Sequence, residues 1–275
     1  MNKKQMILGT RIGKIAMSAR DTVDLLRAAF FHPENIGTLA NDQMATALVT
    51  RICRSDKTFI DVGAHIGSII FAVMQNDRSI RIIAIEAIPE KVANLRRKFP
   101  AVEFHECAVG DSEGEASFFI NTRQSGYSSL GRPPANAGDQ SIVEIRVPIK
   151  TLDNLISSSD VDVMKIDVEG AELGVLRGST NLLARSRPTI MFESGPLGNE
   201  GLGYTKEALW EMLFEQNYTV LVPNRVAHND PGLSKESFIE SHLYPRRTTN
   251  YFAIPNERRR EIRDRARDVL KITVY

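Results

Sequence analysis

The chain has 275 residues, 42% of them hydrophobic and 25% charged, with 35 basic against 34 acidic side chains. That length supports one large α/β domain or two small ones, and the composition excludes wholesale disorder. A net charge of +1 gives no reason to expect nucleic acid as a main partner. Two cysteines, Cys53 and Cys107, are too few for a disulfide scaffold and lack metal-ligand spacing. Both read as reduced, semi-buried thiols, Cys53 at a helix end and Cys107 at a strand end. Residues 1–17 lack the apolar run of a secretory signal and no stretch reaches about 20 apolar residues, so a cytoplasmic location without a membrane span is expected.

Residues 1–56 read as an N-terminal helical extension, and 57–275 as the main domain. In the extension, apolar spacing predicts helices over Asp21–Phe31 and Asp42–Cys53, separated by His32-Pro33 and Ile36-Gly37. From Thr58 the rhythm changes to short apolar strands alternating with helices. The spacing predicts strand Thr58–Val62, helix Ile66–Gln75, strand Arg81–Glu86, a helix opening at Pro89, and strand Val102–Ala108. Strands Ala116–Asn121 and Ile142–Pro148 flank the polar loop Thr122–Gln140 and read as an inserted β-hairpin whose loop is long enough for a lid.

The alternation resumes with strand Val161–Ile166, helix Ala171–Ala184, strand Thr189–Glu193, helix Lys206–Gln216 and strand Tyr218–Val222. Asn250–Ile254 reads as the last strand and Glu257–Leu270 as a charged terminal helix. The pattern implies a Rossmann-like α/β fold, a mostly parallel seven-stranded sheet with helices on both faces. Arg258-Arg259-Arg260, interleaved with acids, reads as a salt-bridged solvent face, whereas Arg246-Arg247 lies in the polar stretch Asn224–Arg247 with His228 and His242.

Asp61-Val62-Gly63-Ala64-His65-Ile66-Gly67 places small residues where a strand hands over to a helix, so the backbone can turn sharply and approach a ligand. Nineteen residues beyond Gly67, the second strand ends in Glu86, the place where doubly wound folds hold ribose hydroxyls. A dinucleotide site would want G-x-G-x-x-G facing a pyrophosphate. Here Ala64-His65 replaces the middle glycine and Asp61 precedes the turn. An acid repels a pyrophosphate but suits the cationic, amine-bearing end of S-adenosyl-L-methionine, directly or through water. The sign of the charge favours the sulfonium cofactor over NAD.

Together with four later segments, these residues resemble the FkbM family of S-adenosylmethionine-dependent methyltransferases. The segments are Glu86-Ala87-Ile88-Pro89, Ala108-Val109-Gly110-Asp111-Ser112-Glu113-Gly114, Thr151-Leu152-Asp153 and the ungapped Lys165-Ile166-Asp167-Val168-Glu169-Gly170-Ala171-Glu172. The resemblance spans about Thr58–Ser194 and departs from the family at His65, where asparagine is frequent. It implies a class I methyltransferase domain over 57–275. Asp61, Gly63, Ala64, His65, Gly67, Glu86, Ala87, Ala108 and Asp167 would hold the cofactor. The implied reaction is O-methylation of a hydroxyl on a sugar, glycan or natural product.

Methyl transfer is an in-line displacement, and a hydroxyl acceptor needs a base or metal to take its proton. Asp167 and Glu169 follow the fourth main-sheet strand, Glu193 ends the next one, and Lys165 shares a strand face with Asp167. These four are the candidate catalytic residues. The three carboxylates suit Mg²⁺, or else Asp167 meets the cofactor while Glu169 caps the following helix and Glu193 binds loop backbone. Lys165 is open between an internal salt bridge and substrate contact. Tyr127-Ser128-Ser129-Leu130 is a candidate to close over the acceptor. Residues 1–56 read as a substrate lid or a subunit contact, compatible with a homo-oligomer. The competing readings are a non-catalytic nucleoside-binding module and an NAD-linked oxidoreductase.

Overall fold

The structure, a computed structural model, describes residues 22–123, 126, 128–131, 141–157, 160–195 and 202–272. Seven strands form the main sheet: β1 Thr58–Val62, β2 Arg81–Glu86, β3 Glu103–Glu106, β7 Val161–Ile166, β8 Thr189–Glu193, β9 Tyr218–Leu221 and β10 Asn250–Pro255. Their order is β3-β2-β1-β7-β8-β10-β9, and every pairing is parallel except those of β10 with β8 and β9. Each residue of β1 and β7 is buried, as central parallel strands covered on both faces must be. Successive side chains feed opposite cores: Ile60, Met164, Phe192 and Tyr251 enter one, while Phe59, Val163, Met191 and Phe252 enter the other. The architecture is the Rossmann-like α/β fold expected from the sequence.

The strand order reverses at β1. From there the chain runs outward through β2 and β3, then returns to place β7 on the other side of β1. The crevice beyond the carboxyl ends of β1 and β7 is therefore the switch point where ligands bind in such folds.

A second sheet of order β4-β6-β5 lies beside the first, from β4 Ala108–Val109, β5 Gly114–Asn121 and β6 Ile142–Lys150. The expected hairpin is present as antiparallel β5 and β6. The single strand expected over Val102–Ala108 is two. Glu106 is the last residue paired with β2, and beyond the buried Cys107 the chain changes sheets, Ala108 and Val109 pairing with Ile149 and Lys150 of β6.

Helices flank the main sheet: α1 over 22–31, α2 Ile36–Val49, α3 Ser68–Asn76, α4 Pro89–Lys98, α5 Leu152–Leu155, α6 Glu172–Arg177, α7 Thr180–Ser186, α8 Lys206–Glu215, α9 Lys235–Glu240 and α10 Arg259–Leu270. The helix expected over Ala171–Ala184 is broken into α6 and α7. Asp153 accepts from the backbone N–H groups of Asn181 and Leu182 at 3.0 and 2.7 Å, capping α7 as a separate helix. That cap gives the Thr151-Leu152-Asp153 segment a structural task.

Ile36-Gly37, expected to break the extension, instead opens α2, which ends at Val49, so Cys53 lies beyond the helix. Ala45, Leu48, Val49, Ile52 and Cys53 are part of the core under the sheet. Arg258 is not a solvent-facing residue: it reaches the buried Asp162 at 2.6 Å and the Arg187 carbonyl at 2.8 Å. Among the described residues, no helix is long and apolar enough to cross a membrane.

Candidate functional site

The crevice is shaped by the turn after β1. Gly63 has φ +81°, and a Cβ there would overlap the carbonyl oxygen of Asp167. Its hydrogen atom lets the β1 and β7 ends converge, and the Asp167 N–H donates to Val62 at 3.1 Å. Gly67 is required for another reason than ligand approach. With φ +77°, it starts α3, and a Cβ would meet the Phe99 ring and Leu95 of α4. Ala64 is buried, its N–H bonded to Ile85. Neither Ala64, Gly67 nor Asp61 lines the cleft.

The cleft encloses about 740 Å³, part of it open to solvent, within the range of small-molecule sites. Glu86 stands on one side. Its two oxygens accept from the backbone N–H groups of His65 and Ile88 at 2.8 and 3.0 Å. Each oxygen keeps a lone-pair direction for a further donor. Beside it, Ala87, Ile88 and Ala108 form an apolar wall with Phe118 of β5, and Leu130 completes the lining. Burial holds the His65 ring neutral, pushed down to about 4. Lys91, in the first turn of α4, also lines the cleft, and burial lowers its pKa.

On the far side, Lys165 is fully engaged inside the protein. Its ammonium bonds the Gly63 carbonyl at 2.8 Å and pairs with Asp61 and Asp167, each at 3.2 Å. Burial opposes the charge, but Asp167 and then Asp61 outweigh it and hold the group protonated. Of its two expected roles, the internal salt bridge is the arrangement present. Asp61 is wholly buried and reaches the cleft only through this lysine.

Asp167, Glu169 and Glu193 line the cleft together, each offering an oxygen within 4.8 Å of the others'. Burial pushes Glu193 up to about 10, reinforced by the Asp167 charge and a hydrogen bond to it. Burial also opposes the charge of Asp167, but Lys165 and Glu193 hold it low. The Asp167 charge thus favours the protonated form of Glu193, and the three oxygens are spaced so that they could hold a metal ion. Glu169, held at φ +53°, is pushed up to about 7, first by burial and then by Asp167 and Glu172.

Glu172, not Glu169, pins this turn, accepting from the N–H groups of Val168 and Gly170 at 3.3 and 3.1 Å. It was legible only as the last letter of the Lys165–Glu172 run. Phe118 and Lys91 carried no motif signal. Ser128 lines the cleft and its Oγ accepts from Asn121 at 3.2 Å, while Tyr127 lies outside the described residues. His242 is a satisfied core residue, its ring nitrogens 2.7 Å from the Phe238 carbonyl and 2.8 Å from Ser194 Oγ.

The chain is similar to the crystal structure of methyltransferase FkbM from Methylobacillus flagellatus KT, at 15% identity and a TM-score of 0.44, over 72% of this chain and 43% of that one. It is also similar to precorrin-6y C5,15-methyltransferase from Geobacter metallireducens GS-15, at 16% identity and a TM-score of 0.37, over 64% of this chain and 71% of that one. In sequence it is 24% identical over 145 residues to Methyltransferase 1 of Beauveria bassiana (strain ARSEF 2860). That match takes in 45% of this chain and 58% of the relative, so the chain spans little more than half of the relative's length. The family model of the methyltransferase FkbM domain matches residues 61–220, more than half of the chain and the whole of the crevice described above. The chain belongs to the FkbM methyltransferase domain family.

Proposed function

We propose that the crevice at the ends of β1 and β7 binds S-adenosylmethionine and that the protein methylates a hydroxyl of a sugar, glycan or natural product. One observation carries this reading: a backbone-anchored carboxylate, Glu86, with an apolar wall beside it and a cluster of three carboxyls line one cleft. Glu86 suits a ribose diol. Ala87, Ile88, Ala108, Phe118 and Leu130 suit the faces of a planar base. The negative field of Asp167 and its neighbours suits a sulfonium and an ammonium, and it disfavours a pyrophosphate.

When bound, the cofactor supplies an electrophilic methyl group. The chain's part is to position and to move a proton. Glu169, with a pKa near neutrality, accepts the proton of an acceptor hydroxyl, as a base matched to working pH should. Asp167, fixed by Lys165 and by its backbone bond to β1, orients the donor end. Alignment of acceptor oxygen, methyl carbon and sulfur supplies much of the acceleration, on the order of 7–11 kcal/mol in favourable cases.

The test is calorimetric titration of S-adenosylhomocysteine into the full chain, with NAD as a control. Binding is expected for the first and not the second. Glu86→Ala removes a charged acceptor and should weaken binding by about 1.5–3 kcal/mol, roughly tenfold to a hundredfold. Thermal melting checks that the variant remains folded, because Glu86 also anchors the turn. A folded wild-type protein that binds no S-adenosylhomocysteine would sink the proposal.

A further inference from the structure

Four carboxyl groups line the cleft, those of Glu86, Asp167, Glu169 and Glu193, and they suit only part of the cofactor proposed to bind there. S-adenosylmethionine carries two cationic groups, the sulfonium and the α-ammonium, and one carboxylate. A carboxylate taken out of water among fixed acids needs a cation or N–H donors to offset desolvation and repulsion.

The cationic side chains around the crevice differ in where they point. Lys165 is spent inside the protein on the Gly63 carbonyl at 2.8 Å and on Asp61 and Asp167 at 3.2 Å each, and it is not part of the lining. Lys98, at the end of α4, donates to the Ile66 carbonyl at 3.3 Å, lies over the Phe99 ring and is not part of the lining either. The His65 ring lines the cleft in its neutral form. Among the described residues, Lys91 is the one lysine or arginine that lines the cleft.

The fold sets Lys91 there. Glu86 accepts from the Ile88 N–H at 3.0 Å, Pro89 opens α4, and Val92 and Leu95 bury the helix's inner face. Lys91, in the first turn, is left half-buried along the cleft wall. Glu86 and Asp167 both favour its charge, so its ammonium lies in the field of the acid suited to the ribose and of the acid suited to the donor end. Burial nevertheless outweighs them and lowers its pKa, so a further anion arriving in the cleft would stabilise the cation.

We infer that Lys91 binds the carboxylate of the cofactor's methionine end while the acids of the cleft take its cationic groups. The site then recognises the amino acid as a zwitterion, Asp167 serving one charge and Lys91 the other. The inference rests on the proposed cofactor site and adds to it a residue from outside the family motifs.

The experiment is calorimetric titration of the full chain with two compounds, S-adenosylhomocysteine and its decarboxylated analogue, which keeps the adenosine, the thioether and the amine. The wild-type chain is expected to bind the first at least about tenfold more tightly, as loss of a charge-assisted bond requires. Lys91→Met should weaken S-adenosylhomocysteine by about tenfold to a hundredfold and bind the analogue no more weakly than wild type, so the discrimination disappears. Lys91→Arg keeps the cation and should retain part of it. Equal affinity of the wild-type chain for the two compounds overturns the inference, with no variant needed. So does a Lys91→Met chain that loses both compounds by the same factor, because the lysine would then act on the cleft and not on the carboxylate. In either case the cofactor site stands, whereas a folded wild-type chain that binds neither compound overturns the site and this inference together.

Discussion

Glu169 and Glu193 share one cluster and one sign of charge, yet their surroundings give them different tasks. Glu193 donates to Asp167 and stays protonated far above neutrality, whereas Glu169 has no such carboxylate bond and sits near 7. Of these two, Glu169 is the one that changes charge near neutrality, as does Glu172, which pins the turn and is pushed up to about 7 by burial. The raised pKa of Glu169 means that it is protonated, and unable to accept, below about 7, so the rate should rise with pH through that value and then level. Glu169→Gln should remove the rise and lower kcat by roughly 10²–10⁴ with S-adenosylhomocysteine affinity little changed. Initial rates from pH 5.5 to 9 on an accepted hydroxyl substrate measure both. A Glu169→Gln enzyme that keeps the same pH profile would move the base elsewhere.

At the level of elements, the β1 and β7 ends are held together by Lys165, which bonds the carbonyl of one and the carboxylates of both. Lys165→Met leaves Asp61 buried without its cation, a loss of about 3–5 kcal/mol where one partner of a buried pair is removed. Adding Asp61→Asn should recover more than 1 kcal/mol, since the stranded charge goes with it. Urea unfolding of both variants checks this, and a single variant costing less than about 1 kcal/mol would show that the lysine does not hold the crevice. The positions of Asp167, Glu169 and Glu193 were legible in the sequence because short apolar strands bounded by polar turns place them at strand ends. Phe118 was not, because its approach to the cleft depends on how the hairpin packs on Ala87 and Ile88. The break between α6 and α7 was hidden too: leucines keep helical spacing on both sides of Gly178, and the cap comes from Asp153, 28 residues before Asn181. Beyond Glu106, the change of sheet likewise depends on which strand lies alongside, which local pattern does not encode.

Across the whole molecule, one buried carboxylate joins segments that are far apart in sequence. Asp162, at the opposite end of β7 from the cleft, pairs with Arg54 at 2.9 Å, Arg258 at 2.6 Å and Arg265 at 3.1 Å. It thereby ties the segment before β1 and the terminal α10 to the centre of the sheet. Burial opposes its charge, but Arg265, the Arg54 backbone N–H and the other guanidiniums hold its pKa below the ordinary value. A depressed carboxyl pKa contributes stability that is present above the unfolded value, about 3.9, and is lost as pH falls through the lower folded one. Asp162→Asn should therefore destabilise at pH 7 and cost progressively less below about pH 4. Arg54 is half exposed and Glu261 still pairs with Arg258 and Arg265, so the loss should fall below the ~3–5 kcal/mol of a fully stranded pair, at about 2–3 kcal/mol. In a chain of this size that is a drop of roughly 4–12 °C in Tm. Melting curves of both proteins at pH 7 and pH 3 separate charge from packing: a gap that closes in acid belongs to the ion cluster, and one that persists unchanged belongs to the shape of the side chain.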